Sequence, residues 1–140
     1  MKLERDAILY INELENLTKV QARDCIIKDK TITYVIDDNQ VGKAIGKNGN
    51  IIKQLSKNFA KKIEIVPFFE KPEEFIKNYL KEGEISKVDF SKDENDKSVI
   101  VIVLTREGKR KILGNSMKLK KARDILQRSY NINGIKIIGN

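Results

Sequence analysis

The sequence predicts an α+β fold made of two consecutive copies of one unit, each in the order helix, strand, strand, helix, helix, strand. Helical and strand periodicities alternate along the first half of the chain, and the same series recurs in the second half. The 140 residues leave room for two small units of this kind. Because each half alone would bury little surface, we expect the two to pack together.

The first half begins with a helix, because its apolar residues recur at helical spacing and share one face. These residues are Leu3, Ala7, Ile11, Leu14 and Leu17 or its neighbour. Two strands follow over 25–27 and 31–37, and Ile32, Tyr34 and Ile36 alternate in the second of them. The unit is completed by a short helix over 41–45, a loop over 46–49, a helix with Ile52, Leu55 and Phe59 on one face, and a strand over 63–66.

The second half repeats this series of elements. Pro72 suits the first position of a helix and Gly83 suits its end. Ser86, Val88 and Phe90 then alternate as in a strand. The later elements are a strand over 98–104 with the continuous apolar run of a buried strand, a helix over 105–113, a loop over 114–117, a helix carrying Leu119, Ala122 and Leu126, and a strand over 134–138.

The two copies define the expected domain boundaries. Aligning residues 45–51 with 113–119 places the copies 68 residues apart, although few residues are identical. We expect one domain over 1–67 and a second over 68–140. The junction at 66–69 is short and apolar, so we expect it to bury against both halves and to be rigid. The alternative is one α+β domain whose halves merely share common element types.

The composition excludes several kinds of chemistry. The chain contains no histidine, which removes serine and cysteine triads, imidazole zinc ligands and histidine acid–base catalysis together. Its single cysteine, Cys25, cannot form an internal disulfide, so we expect a reducing, cytoplasmic environment. Adjacent acidic residues occur where helix caps and turns are expected. We therefore expect no enzyme activity, no catalytic residues, no cofactor and no metal.

Apolar segments give no indication of a membrane protein. The N-terminal residues lack the apolar core of a signal peptide. The longest apolar run, 99–104, is far below the roughly 20 residues that a spanning helix needs. We expect no contact with a membrane.

Positive charge is concentrated in the two helix–loop–helix segments. Residues 43–62 contain six lysines and no acidic residue, and residues 106–128 contain nine cations and two acidic residues. Together these segments carry +13, whereas the whole chain carries +8, so the remainder is negative at −5. A merely solvated surface would intersperse the two signs, so this segregation indicates a polyanionic partner.

A glycine loop, Gly46-Lys47-Asn48-Gly49, lies within the first basic segment. Glycines in such a turn let a phosphate approach main-chain N–H groups with no Cβ in the way. Lys47 adds charge, and Asn48 can hydrogen-bond a phosphate or a sugar. The spacing fits neither the P-loop nor the dinucleotide-binding motif, so we do not expect a nucleotide cofactor.

Residues 45–51, Ile-Gly-Lys-Asn-Gly-Asn-Ile, resemble the signature of the KH domain, whose GxxG loop clamps about four single-stranded nucleotides. The element order resembles the prokaryotic, type II form, which implies small three-stranded sheets with helices packed on one face. Two such units in tandem resemble the archaeal NusA-like transcription factors. This resemblance implies a monomer that binds single-stranded RNA, the nascent transcript, in transcription elongation or termination, with RNA polymerase as a candidate partner. A KH-type ribosomal RNA-binding or ribosome-assembly factor is the alternative.

The loop, the resemblance and the charge pattern predict a set of RNA-binding residues in each unit. In the first unit they are Lys43, Ile45, Gly46, Lys47, Asn48, Gly49, Ile52, Lys53 and Lys57. In the second unit they are Arg110, Lys111, Gly114, Asn115, Lys118 and Lys121. The second loop has Met117 where the family has its last glycine, so we expect the basic flanks of that loop to hold the RNA.

We expect the bases to lie in an aliphatic groove beside the first loop. Its expected floor residues are Val41, Ile45, Ile52 and Ile63 or Ile65. The strand over 63–66 would offer main-chain groups to the base edges. An aromatic content of 6% disfavours the stacking platforms of RRM and OB-fold proteins. A DNA-binding helix-turn-helix protein is disfavoured by the flanking strands and by the loop glycines.

Overall fold

The computed structural model describes residues 5–139, so Leu3, expected on the first helix, lies outside the described part. The chain divides into two compact units, Met1–Phe69 and Glu70–Asn140, each with its own three-stranded sheet. Within the described range, every helix is too short or too polar to cross a membrane.

The first unit combines helices with a mixed three-stranded sheet. Its elements are α1 (Arg5–Thr18), β1 (Asp24–Lys28), β2 (Thr31–Asp37), α2 (Val41–Ile45), α3 (Asn50–Phe59) and β3 (Lys62–Phe68). β2 is the central strand, antiparallel to β1 and parallel to β3. Because parallel neighbours need a crossover connection, the α2–α3 segment takes the chain from one end of the sheet back to the other.

The helices of the first unit form its core against one face of the sheet. Tyr10 and Leu14 of α1 and Leu55 of α3 are buried in one cluster with Ile32 and Tyr34 of β2. The Tyr34 hydroxyl donates a hydrogen bond to the main-chain oxygen of Tyr10 at 2.8 Å. This bond satisfies the polar end of a fully buried ring and ties α1 to the central strand.

The third strand is longer than predicted and takes in most of the expected junction. β3 runs through Pro67 to Phe68, and Pro67 lies opposite Ile36 in the register. Proline lacks an N–H group, but β3 is an edge strand, where a missing donor is tolerated. At this end of the sheet Arg23 pairs with Asp37, and its guanidinium carbon lies 4.0 Å from the centroid of the Phe68 ring.

The second unit has the same order of elements and the same strand pairing. Its elements are α4 (Pro72–Tyr79), β4 (Lys87–Lys92), β5 (Ser98–Leu104), α5 (Arg106–Gly114), α6 (Ser116–Tyr130) and β6 (Gly134–Gly139). β5 is central, antiparallel to β4 and parallel to β6. The mixed topology thus recurs in both halves of the chain.

The helical segments of the two units differ in length. Ile32 pairs with Ile63 in the first unit, and Ile100 pairs with Ile135 in the second. The central strands are therefore 68 residues apart and the third strands 72 residues apart. The connection from the central strand to the third strand, counted between these paired positions, is accordingly four residues longer in the second unit, about one helical turn.

The first helix of the second unit is shorter than expected. α4 ends at Tyr79, and Lys81–Gly83 forms a separate 3-10 turn. A Cβ on Gly108 of α5 would overlap the main-chain carbonyl of Gly83, and a Cβ on Gly83 would overlap the side chain of Ile112. Glycine is therefore needed at position 108, where the turn packs main chain against α5, and a side chain at position 83 would displace the buried Ile112. Gly83 thus does more than end a helix.

The central strand of the second unit is buried on one face. Ile100, Ile102 and Leu104 are buried, whereas the alternating valines between them are partly exposed. The strand is thus buried as its apolar run predicts, but on one face only. Because side chains of a strand alternate between two faces, helices packed on one face bury only every second residue.

Candidate nucleic-acid interface

The glycine loop of the first unit connects α2 to α3 through an abrupt turn. Lys47–Gly49 is a tight turn in which the Gly49 N–H donates a hydrogen bond to the Gly46 carbonyl at 3.1 Å, and the φ angles of Gly46, Asn48 and Gly49 are 80°, 55° and 72°. A Cβ on Gly46 would overlap Oδ1 of Asn50 and Cγ1 of Ile51. Gly46 is therefore required both by its positive φ and by the close approach of α3.

Gly49 is required for a different reason. Its φ of 72° lies in the left-handed region, but a Cβ built on it would meet no atom of the protein within 4 Å. The space next to Gly49 is thus open. A ligand can approach the main chain here, where α3 begins and where the first N–H groups of a helix have no partner within it.

The lysines of the loop and its two flanking helices are exposed. They are Lys43 on α2, Lys47 in the loop, and Lys53 and Lys57 on α3. The ion pairs found within residues 5–139 involve none of them. No ion pair in this range therefore neutralises their charge, and Lys47 lies just before the positive end of α3.

The aliphatic side chains expected to form the floor of the groove differ in their burial. Ile45 is half-buried, and Val41, Ile52 and Ile65 are half-buried where they pack against the core. Ile63, by contrast, is only 8% exposed, so it belongs to the core and not to the floor of a groove. β3 is the edge strand on this side of the sheet and contacts both α2 and α3.

The second unit has no loop at the corresponding place. α5 ends at Gly114, Asn115 alone breaks the helix, and α6 begins at Ser116. Asn115 caps α6, because its Oδ1 accepts a hydrogen bond from the main-chain N–H of Lys118 at 3.3 Å. Met117, 72% exposed, lies in the first turn of α6, so the expected loop over 114–117 was wrong.

Gly114 has none of the constraints found at the first loop. A Cβ on it would meet nothing within 4 Å, and its φ is not positive. Ser and Asn are good helix caps, so the residues that replace the glycine loop favour a helix start instead. The structure therefore gives Gly114 and Asn115 a helix-ending and a helix-capping role.

The predicted basic residues of the second unit are in differing environments. Arg110 is exposed, Lys121 is half-buried, and Lys111 lies 3.9 Å from Glu107 one turn earlier on α5. Lys118 has the most contacts: its Nζ lies 3.0 and 3.1 Å from the two carboxylate oxygens of Glu82. Arg110 and Lys111 are thus exposed cations, whereas Lys118 is held in a partly buried ion pair.

Glu82 is the residue that sequence reasoning missed. Partial burial acts to raise the pKa of Glu82, but a main-chain hydrogen bond and Lys118 outweigh it and hold the pKa below its ordinary value. Glu82 and Lys118 are far apart in the chain, and no local pattern connects them.

Within the described residues, no group of three or more acidic or cysteine side chains could hold a metal ion.

The fold and the loop together define a class of protein. A unit in the order α1–β1–β2–α2–α3–β3, with a GxxG turn between its last two helices, has the features of a KH domain. Residues 10–67 match the family described as KH domain.

The relatives found by sequence comparison identify the family. A protein named "Probable transcription termination protein NusA" from Methanococcus vannielii is 32% identical over 139 residues, covering 99% of this chain and 80% of the relative. The protein of that name from Methanocaldococcus jannaschii is 28% identical over 99% of this chain and 75% of its own length. That from Halobacterium salinarum is 25% identical over 98% of both chains. The chain therefore belongs to the archaeal NusA-like family of KH-domain proteins.

A solved structure shares the fold over nearly the whole chain. The crystal structure of APE1850 superposes with a TM-score of 0.81 at 23% identity, covering 96% of this chain and 99% of that one. At this identity the likeness concerns the fold alone.

Proposed function

We propose that this protein binds single-stranded RNA and acts on nascent transcripts in transcription elongation or termination, without enzymatic activity. One observation carries the proposal: the space next to Gly49 is open, and the exposed lysines of the loop and its flanking helices form no ion pair within residues 5–139. The names of the archaeal relatives support the role in transcription. The protein would act as a monomer in the cytoplasm, with RNA polymerase as the candidate protein partner.

The loop would bind the RNA backbone by close approach and by charge. At Gly49 a phosphate can reach the main chain without meeting a Cβ. Lys47 and the lysines of α2 and α3 would release the counterions of the RNA. The slope of log K against the logarithm of the salt concentration would then be about −0.7 for each neutralised phosphate. Phosphate contacts of this kind hold RNA in place but carry no sequence information.

Base recognition would come from the groove beside the loop. Ile45, Ile52 and Ile65 present half-buried aliphatic surface against which bases can lie flat. The edge strand β3 offers main-chain donors and acceptors to the base edges. We therefore expect modest sequence preference together with strong dependence on salt.

The second unit would be a second KH domain that contributes charge without a glycine clamp. It repeats the element order and the strand pairing of the first unit. Arg110, Lys111 and Lys121 on α5 and α6 would attract the RNA backbone at longer range. Two binding units on one chain raise the overall affinity by effective concentration.

Titration with fluorescent nucleic acids tests this proposal. Single-stranded RNA, duplex RNA and duplex DNA are compared at about 50 mM and about 200 mM salt. We expect single-stranded RNA to bind most tightly and its affinity to fall steeply with salt. Binding to none of the three would refute the proposal, and preference for duplex DNA would indicate a helix-turn-helix mode of binding instead.

The role in transcription needs a separate experiment. Immobilised protein is incubated with purified RNA polymerase and, in parallel, with ribosomal subunits from the same cells. Retention of polymerase is expected. Retention of ribosomal subunits without polymerase would contradict a role in transcription and favour ribosome assembly.

A further inference from the structure

In the second unit, the carboxylate of Glu82 pairs with Lys118 at the junction between α5 and α6. Glu82 presents both carboxylate oxygens to Lys118 Nζ, at 3.0 and 3.1 Å. The same ammonium lies 5.3 Å from the centroid of the Tyr79 ring. Lys118 lies in the first turn of α6, where the corresponding helix start of the first unit is open.

The position of Glu82 is set by main-chain packing. Glu82 is the middle residue of the 3-10 turn Lys81–Gly83, and Gly83 is buried against Gly108 and Ile112 of α5. A turn held in this way cannot swing aside without losing its contact with α5. The side chains of Glu82 and Lys118 are 34% and 29% exposed, much less than those of the surface pair between Lys111 and Glu107.

We propose that Glu82 takes the place of an RNA phosphate at Lys118 and thereby excludes the RNA backbone from the α5–α6 junction. The inference rests on the proposed function and makes Glu82 a determinant of where RNA phosphates bind. The first unit has the opposite arrangement, since residues 43–62 include no acidic residue. Close binding of RNA phosphates is then confined to the Gly46–Gly49 loop.

The charge balance gives the physical reason. A phosphate that reached Lys118 would first have to displace a carboxylate that already neutralises it, and would then lie next to that carboxylate. Lys118 therefore releases no counterion when RNA binds, unlike an exposed lysine. One of the cations on α5 and α6, Lys118, is therefore not available to bind RNA.

The test compares Glu82→Gln with Glu107→Gln in the full chain. Both variants remove one negative charge from the second unit, but Glu107 makes only an exposed pair with Lys111 at 3.9 Å. We expect Glu82→Gln to bind single-stranded RNA about fivefold more tightly than Glu107→Gln at ~0.1 M salt, with a salt slope steeper by about 0.7. Equal affinities and equal slopes for the two variants would overturn the inference.

Variants of Lys118 provide an independent measurement. Lys118→Gln alone would leave the carboxylate of Glu82 unneutralised, so both side chains are replaced together. Glu82→Gln/Lys118→Gln is expected to keep the RNA affinity and salt slope of the wild type and so to lack the gain of Glu82→Gln. A drop in its affinity below that of the wild type, with a slope shallower by about 0.7, would show that Lys118 already contacts RNA and would overturn the inference.

The comparison of Glu82→Gln/Lys118→Gln with the wild type decides the matter even where Glu82→Gln alone fails to fold, which thermal unfolding followed by circular dichroism detects. Failure of the proposed function is distinguishable, because wild-type protein would then bind no RNA at all. If the wild type binds RNA, and Glu82→Gln and Glu107→Gln bind it with the same affinity and the same salt slope, only this inference is refuted and the proposed function stands.

Discussion

Replacing Gly49 tests whether the first loop is a phosphate clamp or only a turn. We compare Gly49→Asp with Gly49→Asn, because the two side chains have nearly the same shape and differ in charge. Both residues tolerate the left-handed region better than other non-glycine residues, which suits a φ of 72°. A Cβ at this position meets no protein atom within 4 Å, so both variants are expected to fold.

The expected effect follows from where the new side chain points. It fills the open space through which a phosphate would reach the main chain, so Gly49→Asn should weaken RNA binding by obstruction alone. Gly49→Asp adds a like charge about 4 Å from the phosphate, which costs about 1 kcal/mol in water-like surroundings and about 4 kcal/mol in partly desolvated ones. Since 1.4 kcal/mol is a factor of ten, we expect a loss of affinity of at least about fivefold relative to Gly49→Asn.

Fluorescence anisotropy with labelled single-stranded RNA measures these affinities, and circular dichroism confirms that each variant is folded. The charge effect should shrink at higher salt, because added ions screen the repulsion. Wild-type affinity for a folded Gly49→Asp variant would refute the assignment of the loop as a clamp and leave it a simple connection between α2 and α3.

Four further predictions concern single side chains. Lys47→Gln should weaken RNA binding to a similar degree for all sequences and make the salt slope shallower by about 0.7, whereas an unchanged slope would exclude a phosphate contact. Tyr34→Phe removes the hydrogen bond to the main-chain oxygen of Tyr10 and should lower the free energy of unfolding by about 1–3 kcal/mol in urea denaturation; no loss would contradict the bond. Burial raises the pKa of the Tyr34 phenol, so the stability of the folded state should be complete below the ordinary tyrosine pKa and fall as the pH rises through and above it, less steeply in Tyr34→Phe. Gly108→Ala should destabilise the protein because its Cβ meets a main-chain carbonyl, while Gly114→Ala, with open space around it, should be neutral or stabilising by up to about 1 kcal/mol; similar melting temperatures for the two would argue against the close packing at α5.

The elements whose signals are local were predicted closely. The strand over 31–37 and the strand over 98–104 have the predicted bounds, because β-branched runs bordered by turn residues specify strands locally. The short helix over 41–45 and the loop that follows it were also predicted, since glycines with positive φ interrupt a helix wherever they occur. The mixed α+β arrangement followed from the order of these elements.

The errors arise where long-range contacts override a local signal. The loop expected over 114–117 is a helix start, because Asn115 caps α6 and Met117 continues it. The third strand extends through Pro67 because an edge position tolerates a residue without an N–H. The partial exposure of β5 depends on which face the helices cover, which an unbroken apolar run does not reveal.

The sequence by itself determined the fold class, the position of the glycine loop and the concentration of positive charge in two segments, because each is a property of neighbouring residues. Only the tertiary structure decided which of those charges are available. In the part of the chain that the structure describes, the lysines of the first loop and its flanking helices form no ion pair, whereas Lys118 is neutralised by Glu82, which lies 36 residues away along the chain. The physical reason is that an ion pair depends on distance in space: two glycines, Gly83 and Gly108, let a turn press against α5 and bring the carboxylate to its lysine.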